Sequence, residues 1–554
     1  MEYLILGLIG FILVILVIHH VNKGRTKKKI EEIRTAWGNP KKESFDFDCI
    51  CKYADTVKEN KFHRLTNQTI EDVDFYGLFA FIDRTTSKVG QQFLYKKILE
   101  PTNNTTDPSE RLVNLFSNDK QLREEIQLEL LKLSNNGAYF ISSLLKDKLL
   151  EKPKWFNLLI LDLLIVICLI ILSFKFPVLL IALIIPVTLN MFLHYWNKNN
   201  TFQFLRSFPQ LNNLINASKV LIKKGDLFYD KKIDDSISNL KSFQQKVTLI
   251  KFDNGSGIPS ELSQLATYLT ELLKAIFLVE VFTLYRITSE LENKKTVILT
   301  LFNYVGNIDS SISIASLRAG KEKTCIPTLA STSKDLHAIS VYHPLIEDCV
   351  KNNLSIKSKS ILITGSNMSG KSTFLRTLTI NSVLAQTIYT CFADEFTSPI
   401  LKQFSSIRID DNLFDGKSYY FQEVNIMASL LEQVEFPHQN LFILDEVFKG
   451  TNTIERIASA KAILSYLNRK ENIVVVSTHD IELADMLDSE YDLYHFTEIV
   501  ENNELHFDHS IKAGQLRTRN AIKILELSNY PADIIREARQ ITTTLRTTKI
   551  LSEE

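Results

Sequence analysis

ILITGSNMSGKSTFLRTLTINSVLAQT, residues 361–387, is the stretch on which the reading of this chain turns. A short β-rich run (ILIT, 361–364) leads into Gly365-Ser366-Asn367-Met368-Ser369-Gly370-Lys371-Ser372, a complete GxxxxGK[ST], and Thr373 continues into a helical run. Strand, glycine-rich turn and helix in that order are what phosphate binding requires. The glycines let the backbone curl until successive N–H groups face phosphate oxygens, and the helix N-terminus adds partial positive charge. Lys371 is expected to reach the β- and γ-phosphates of a nucleotide, with the Ser372 hydroxyl as a Mg²⁺ ligand.

Downstream, the apolar run LFIL (441–444) ends in Asp445-Glu446, and IVVVST (473–478) ends in Thr478-His479-Asp480. Each run delivers polar groups at its C-terminal end. Asp445 suits the Mg²⁺ shell, directly or through water, and Glu446 suits the general base that orients the attacking water. His479 is placed to meet the γ-phosphate or that water. Catalysis is therefore assigned to Lys371, Glu446 and His479. Nucleotide binding falls to Gly365, Ser366, Asn367, Met368, Ser369, Gly370, Lys371, Ser372 and Thr373, and the metal to Ser372 and Asp445. Short β runs alternating with helices imply a parallel α/β sheet after about residue 338. Before it, residues 79–150 and 200–320 carry apolar positions at helical spacing, the pattern of a packed bundle.

With 554 residues the chain has room for about three or four domains. Glycine (17) and proline (13) make up about 5% of it, against roughly 12% in average proteins, which excludes collagen-like and linker-rich architectures. Lys+Arg and Asp+Glu both number 64, so any nucleic-acid contact must come from a local basic surface. Six cysteines without a CxxC pair argue against a disulfide framework and against a zinc module.

The apolar residues are concentrated in blocks. Residues 3–18 (YLILGLIGFILVILVI) carry no charge and are followed by Lys23, Arg25, Lys27, Lys28 and Lys29. About 20 apolar residues span a bilayer core, and basic flanks stay on the cytoplasmic side. The expectation is an uncleaved anchor at 1–21. A second block, Trp155 to Trp196, is broken only by Ser173-Phe174-Lys175-Phe176-Pro177 and reads as a transmembrane hairpin with a short outer turn. Asp162 is the one acid inside it. Three spans would leave residues 22–154 and 197–554 together in the cytoplasm beneath the cell (inner or plasma) membrane.

These residues resemble the MutS-type ATPases of DNA mismatch repair. The family's phosphate loop, GPNMxGKST, is matched by GSNMSGKST, and its DE-x-x-x-GT-[ST]-T by Asp445-Glu446-Val447-Phe448-Lys449-Gly450-Thr451-Asn452-Thr453. Asp415 to Glu423 (DGKSYYFQE) resembles the family's GRSTFMVE, and His343-Pro344-Leu345-Ile346-Glu347 resembles the HPVVE that opens its ATPase domain. Upstream, Asp83, Thr85, Gly90, Leu94 and Pro101, then Arg111, Val113 and Leu115, are similar to the start of the family's helical core. Ala513-Gly514 and the stretch 520–538 resemble its dimer-locking helix–turn–helix.

The resemblance implies ATP and Mg²⁺ as cofactors, ATP hydrolysis by a homodimer, Ser418 reaching the partner subunit's nucleotide in trans, and binding of mismatched or distorted DNA. Cys349 aligns with the family's adenine-stacking aromatic, and residues 22–78 are too few for its mismatch-reading domain. The expected organisation is an anchor at 1–21, a cytoplasmic linker at 22–78 and a helical core at 79–338 with the hairpin inserted at 155–196. A MutS-type ATPase domain follows at 339–554, its helix–turn–helix beginning at about 515. Two further readings stay open: a transporter-type ATPase, against which three spans and the absence of an LSGGQ-like signature between 373 and 445 weigh, and an ATPase scaffold whose partner is protein.

Overall fold

The structure is a computed structural model and describes residues 20–21, 23–57, 62–146, 155–200, 202–244, 261–330, 334–366, 369–408, 419–448, 452–501, 504–516, 521–527 and 530–552. The chain divides into two compact units: one of residues 1–60, 82–96 and 109–320, the other of 61–81, 97–108 and 321–554.

The first unit is helical among its described residues. Its elements include α1 (Phe156–Ser173), α2 (Ile184–Asn200), α3 (Glu261–Ile276), α4 (Val279–Leu291) and α5 (Lys295–Arg318). The centre of α5 is buried from Val305 to Leu317 apart from Asn307, so the helix is surrounded by neighbours and its polar residues need internal partners. Asp309 shows how this is met. Its carboxylate accepts from Thr86 N (2.9 Å), Ser87 N (2.7 Å) and Ser87 Oγ (2.6 Å). The same contact explains Gly90, where a Cβ would lie 2.1 Å from Asp309 Oδ2. Bidentate pairs fix the periphery: Arg34 on Glu124 at 2.8 and 2.9 Å, and Arg318 on Glu110 at 2.7 and 3.0 Å.

Two stretches of this unit, Phe156–Ser173 and Leu179–Trp196, are long and apolar enough to cross a membrane, and most of their surface is exposed. They are the two halves of the expected hairpin. Of the three spans read from the sequence the described residues hold these two, and the run at 3–18 lies outside them.

The second unit is built on a sheet of six described strands. They are β4 (Ser360–Thr364), β6 (Lys402–Ser406), β7 (Asn440–Asp445), β8 (Ile473–Thr478), β9 (Tyr491–His495) and β12 (Lys512–Ala513), in the order β12-β9-β4-β8-β7-β6. All neighbours are parallel except β12, which runs antiparallel to β9. Every residue of β4 and β8 is buried, which is why both read as unbroken apolar runs rather than alternating ones. Helices α6 (Lys371–Thr387), α7 (Tyr419–Val434) and α8 (Thr453–Leu467) connect the strands. A second sheet has the order β1-β5-β2-β3, from Thr328–Ala330, Glu395–Pro399, Leu336–Val341 and Asn352–Ile356. A hairpin of β10 (Glu498–Glu501) and β11 (Glu504–Phe507) completes the strands.

This division departs from the expected boundaries. Segments 61–81 and 97–108, read from the sequence as linker and core, group with the α/β unit, and the chain passes into that unit at 321 rather than 339. The cause lies at β6, an edge strand with polar backbone to satisfy. Asp72 accepts from Ser405 Oγ (2.7 Å), Ile407 N (3.0 Å) and Arg408 N (2.8 Å), and His63 Nε2 meets Gln403 O at 2.8 Å. Thr102 N donates to Gln386 O at 3.1 Å, and Gln386 Nε2 returns a bond to Thr102 O at 3.2 Å.

Candidate nucleotide site

Strands β4, β8 and β7 are neighbours, so their C-terminal ends bring the phosphate loop, Thr478-His479 and Asp445-Glu446 to one edge of the sheet. That edge is where open parallel sheets bind ligands. Gly365 leaves β4 at φ +151°, where a Cβ would come 2.8 Å from Phe496 O, and Gly370 opens α6 at φ +110°. Neither position tolerates an ordinary side chain without strain. The loop is braced internally, because Ser369 Oγ donates to Ser366 O at 2.8 Å. Lys371, 4% exposed, donates from Nζ to Gly365 O (2.8 Å) and Ser366 O (2.7 Å), which holds its ammonium within the curl of the loop.

The metal-binding candidates meet directly. Ser372 Oγ donates to Asp445 Oδ2 at 2.5 Å, and Ser477 Oγ donates to Asp445 Oδ1. Hydroxyl and carboxylate oxygens are the hard donors that Mg²⁺ takes, and it routinely fills its other positions with water and substrate phosphate. The donor set therefore fits Mg²⁺ bound together with a nucleotide.

Next to it stands the pair assigned to water activation. Glu446 Oε1 lies 2.8 Å from His479 Nε2, with the two side chains 23% and 37% exposed. Glu446 N donates to Ser477 O at 3.0 Å, and the residue sits at φ +63°, a left-handed conformation rare for a residue with a side chain. His479 is followed by Asp480, whose carboxylate is clamped by Arg456 at 2.7 and 3.1 Å. Of the predicted site residues, the structure brings together Gly365, Ser366, Ser369, Gly370, Lys371, Ser372, Asp445, Glu446 and His479. Asn367, Met368 and Ser418 lie outside the described residues.

A cleft of about 410 Å³ opens beside Lys371, Ser372 and Thr373. Its far wall includes Ile346, Cys349 and Val350, so Cys349 does border the space next to the phosphate loop. His509 borders it as well, with Nδ1 3.1 Å from Ser369 O. Nothing in the local sequence (ELHFDHS, 504–510) marks His509, which lies far from the loop in sequence. Glu498 is a second unmarked participant: it is 7% exposed and accepts from Ser366 Oγ at 2.9 Å. His343 stands behind the cleft, its N donating to Cys349 Sγ at 3.4 Å. Burial, reinforced by Arg376, pushes its pKa down to about 4 and keeps it neutral.

Fold and site together define a phosphate-loop nucleotide-binding domain of the parallel α/β class. Residues 361–546 match the family described as MutS domain V. The chain is similar to the DNA mismatch repair protein MutS of Pseudothermotoga lettingae, 30% identical over 266 residues that cover 46% of this chain and 32% of the relative. It is similar also to the MutS of Listeria monocytogenes serotype 4a, 32% identical over 43% of this chain and 28% of the relative. The MutS of Halothermothrix orenii is 31% identical over 36% of this chain and 23% of the relative. The similarity to MutS domain V thus lies in the α/β part of the chain, and the matches span about a third or less of these relatives' length.

Proposed function

We propose that the chain is a membrane-tethered MutS-type ATPase that hydrolyses ATP as a homodimer and binds mismatched or otherwise distorted DNA. One observation carries the ATPase reading: the Glu446–His479 pair at 2.8 Å sits one strand from the phosphate loop and adjoins the Ser372–Asp445 pair at 2.5 Å. Lys371 and the loop N–H groups would hold the β- and γ-phosphates. Mg²⁺, held by Ser372 and Asp445, would supply charge neutralisation across the phosphate oxygens. Glu446 orients the attacking water and accepts its proton, and His479 fixes the carboxylate's direction from the neighbouring strand.

The membrane reading is supported by the exposed apolar surface of Phe156–Ser173 and Leu179–Trp196 and by the pairing of Trp155 with Trp196, 6.4 Å between ring centroids, at one end of the hairpin. Tryptophans collect at bilayer interfaces. The DNA reading comes from the relatives' name, DNA mismatch repair protein MutS.

Glu446→Gln tests the chemistry. It is expected to retain ATP binding and to lose turnover by at least about a hundredfold, the scale of general-base loss, while Lys371→Ala weakens nucleotide binding as well. Equal turnover in Glu446→Gln and the parent would reject the assignment. Titration of the detergent-solubilised protein with homoduplex, mismatched and branched DNA at several salt concentrations tests the ligand. Turnover without binding to any of the three would replace DNA by a protein partner.

A further inference from the structure

Helices α3 and α4 show an inverted distribution of polarity. On α3 the outward residues Tyr268, Leu269, Leu272 and Leu273 are 76%, 53%, 44% and 54% exposed, and their spacing places them in one stripe. At the start of α4, Val279 is 40% exposed. Around the turn the charged groups are drawn inward, with Glu280 and His194 buried and Lys274 13% exposed, whereas Arg286, further along α4, is exposed. Lys274 Nζ is 2.9 Å from Glu271 Oε1 and 3.7 Å from Glu280 Oε1, and His194 Nε2 is 3.8 Å from Glu280 Oε2. Glu280 is 4% and His194 2% exposed. Apolar residues outward and paired charges inward is the arrangement of a surface facing hydrocarbon rather than water.

Depth points the same way. Trp155 and Trp196 mark one level of the hairpin. Asn190 is six residues before Trp196 on α2, about 9 Å along a helix, and its Nδ2 donates to Ile276 O at 2.9 Å. Leu159 is four residues beyond Trp155 on α1, about 6 Å, and it packs with Leu278, Val281 and Tyr285. The turn between α3 and α4, made by Leu278 at φ +51°, therefore lies on the apolar side of the tryptophan level. With 16 and 13 residues the two helices are shorter than the ~20 needed to span.

Resting on the membrane reading above, we propose that α3 and α4 form a second, shallow helical hairpin whose tip enters the acyl region of the leaflet that holds Trp155 and Trp196, with Tyr268, Leu269, Leu272, Leu273 and Val279 in contact with lipid. The partner of this surface is the bilayer. Amphipathic helices at interfaces bury their apolar face about 5–10 Å deep, the depth marked by Asn190 and Leu159.

The test uses the full chain in vesicles of phosphatidylethanolamine and phosphatidylglycerol. An apolar diazirine that partitions into hydrocarbon is photolysed, with a water-soluble thiol present to scavenge carbene outside the bilayer, and labelled residues are mapped by mass spectrometry. Residues 156–196 report on the membrane hairpin. Helix α8 is the control for exposed apolar side chains in water, since its Ile454 is 79% exposed. The expected result is labelling of 268–279 within about threefold of the hairpin per residue and at least about tenfold above 453–467, as partition into hydrocarbon requires. Labelling of 156–196 with 268–279 at the level of α8 overturns this inference and leaves the hairpin standing. Absence of label from both segments overturns the membrane reading and this inference together.

Discussion

Glu446 holds its carboxylate against His479 from a left-handed backbone position, which costs of order 1–3 kcal/mol and persists only where the surroundings impose it. Phe448, two residues on, is also left-handed, at φ +62°. The chain thus turns twice within three residues of β7, and the carboxylates of Asp445 and Glu446 separate, one to Ser372 and one to His479. The wall of the cleft that carries Cys349, where the proposed nucleotide's base would lie, lacks such precision. Cys349 offers no ring for stacking, and the nearby aromatic candidate Tyr342 is committed elsewhere: its hydroxyl donates to Lys323 O at 2.8 Å and its ring meets Phe392. Cys349→Phe is therefore expected to raise the preference for ATP over GTP by roughly two- to tenfold, since an aromatic stack contributes about 0.5–1.5 kcal/mol beyond its area. Competition binding with labelled ATP reads this. An unchanged ratio would mean that His509 already covers the base.

At the scale of elements, the attachment of 61–81 to the edge strand β6 is the feature with the most structural consequence. Asp72→Ala would leave the donors of Ser405, Ile407 and Arg408 without their carboxylate, at a cost of roughly 3 kcal/mol or more, because each unsatisfied buried group costs about 1–3 kcal/mol. Asp72→Asn should cost less. The expected readout is faster hydrogen exchange at the Ile407 and Arg408 amides in the alanine variant, and unchanged exchange there would show that the segment merely rests on the strand. The same unit carries a pH dependence. Burial pushes the pKa of both His63 and His343 from 6.5 down to about 4. A depressed folded pKa stabilises above the unfolded value, and that stabilisation is lost as pH falls from 6.5 towards 4. At pH 5 the loss is roughly 2 kcal/mol per histidine. His63→Gln combined with His343→Asn should shrink the drop in stability between pH 7 and pH 5, measured by denaturant unfolding in detergent, and an identical drop in parent and variant would refute it.

These elements also show what a sequence discloses. Strands β4, β7 and β8 were legible because burial on both faces demands contiguous Ile, Leu and Val, and the loop after β4 because glycine and lysine spacing is local chemistry. Asp72, Glu498 and His509 act across 335, 132 and 140 positions on Ile407, Ser366 and Ser369, and no local pattern records such partners.

For the whole molecule, charge and symmetry decide what can be expected. Two lysines of the helical unit are engaged within it: Lys224 pairs with Glu125 at 2.6 Å, and Lys219 bonds Gln244. DNA binding through these two lysines would compete with those pairs, and its affinity should fall steeply with salt. Symmetry gives the sharper test. Homodimers are mostly twofold, so a residue that completes the partner's site does so in both sites at once. If Ser418 acts in trans, a subunit with Lys371→Ala still donates a sound serine, and a subunit with Ser418→Ala still carries a sound phosphate loop. Either homodimer is dead. In an equal mixture about half the dimers are mixed, and each mixed dimer has one sound site of two, so turnover should recover to about a quarter of the parent value. Cross-linking measures the fraction of mixed dimers in the same sample. Recovery that tracks that fraction assigns Ser418 to the partner's nucleotide, and a mixture as inactive as its parents, with mixed dimers present, confines each site to one subunit.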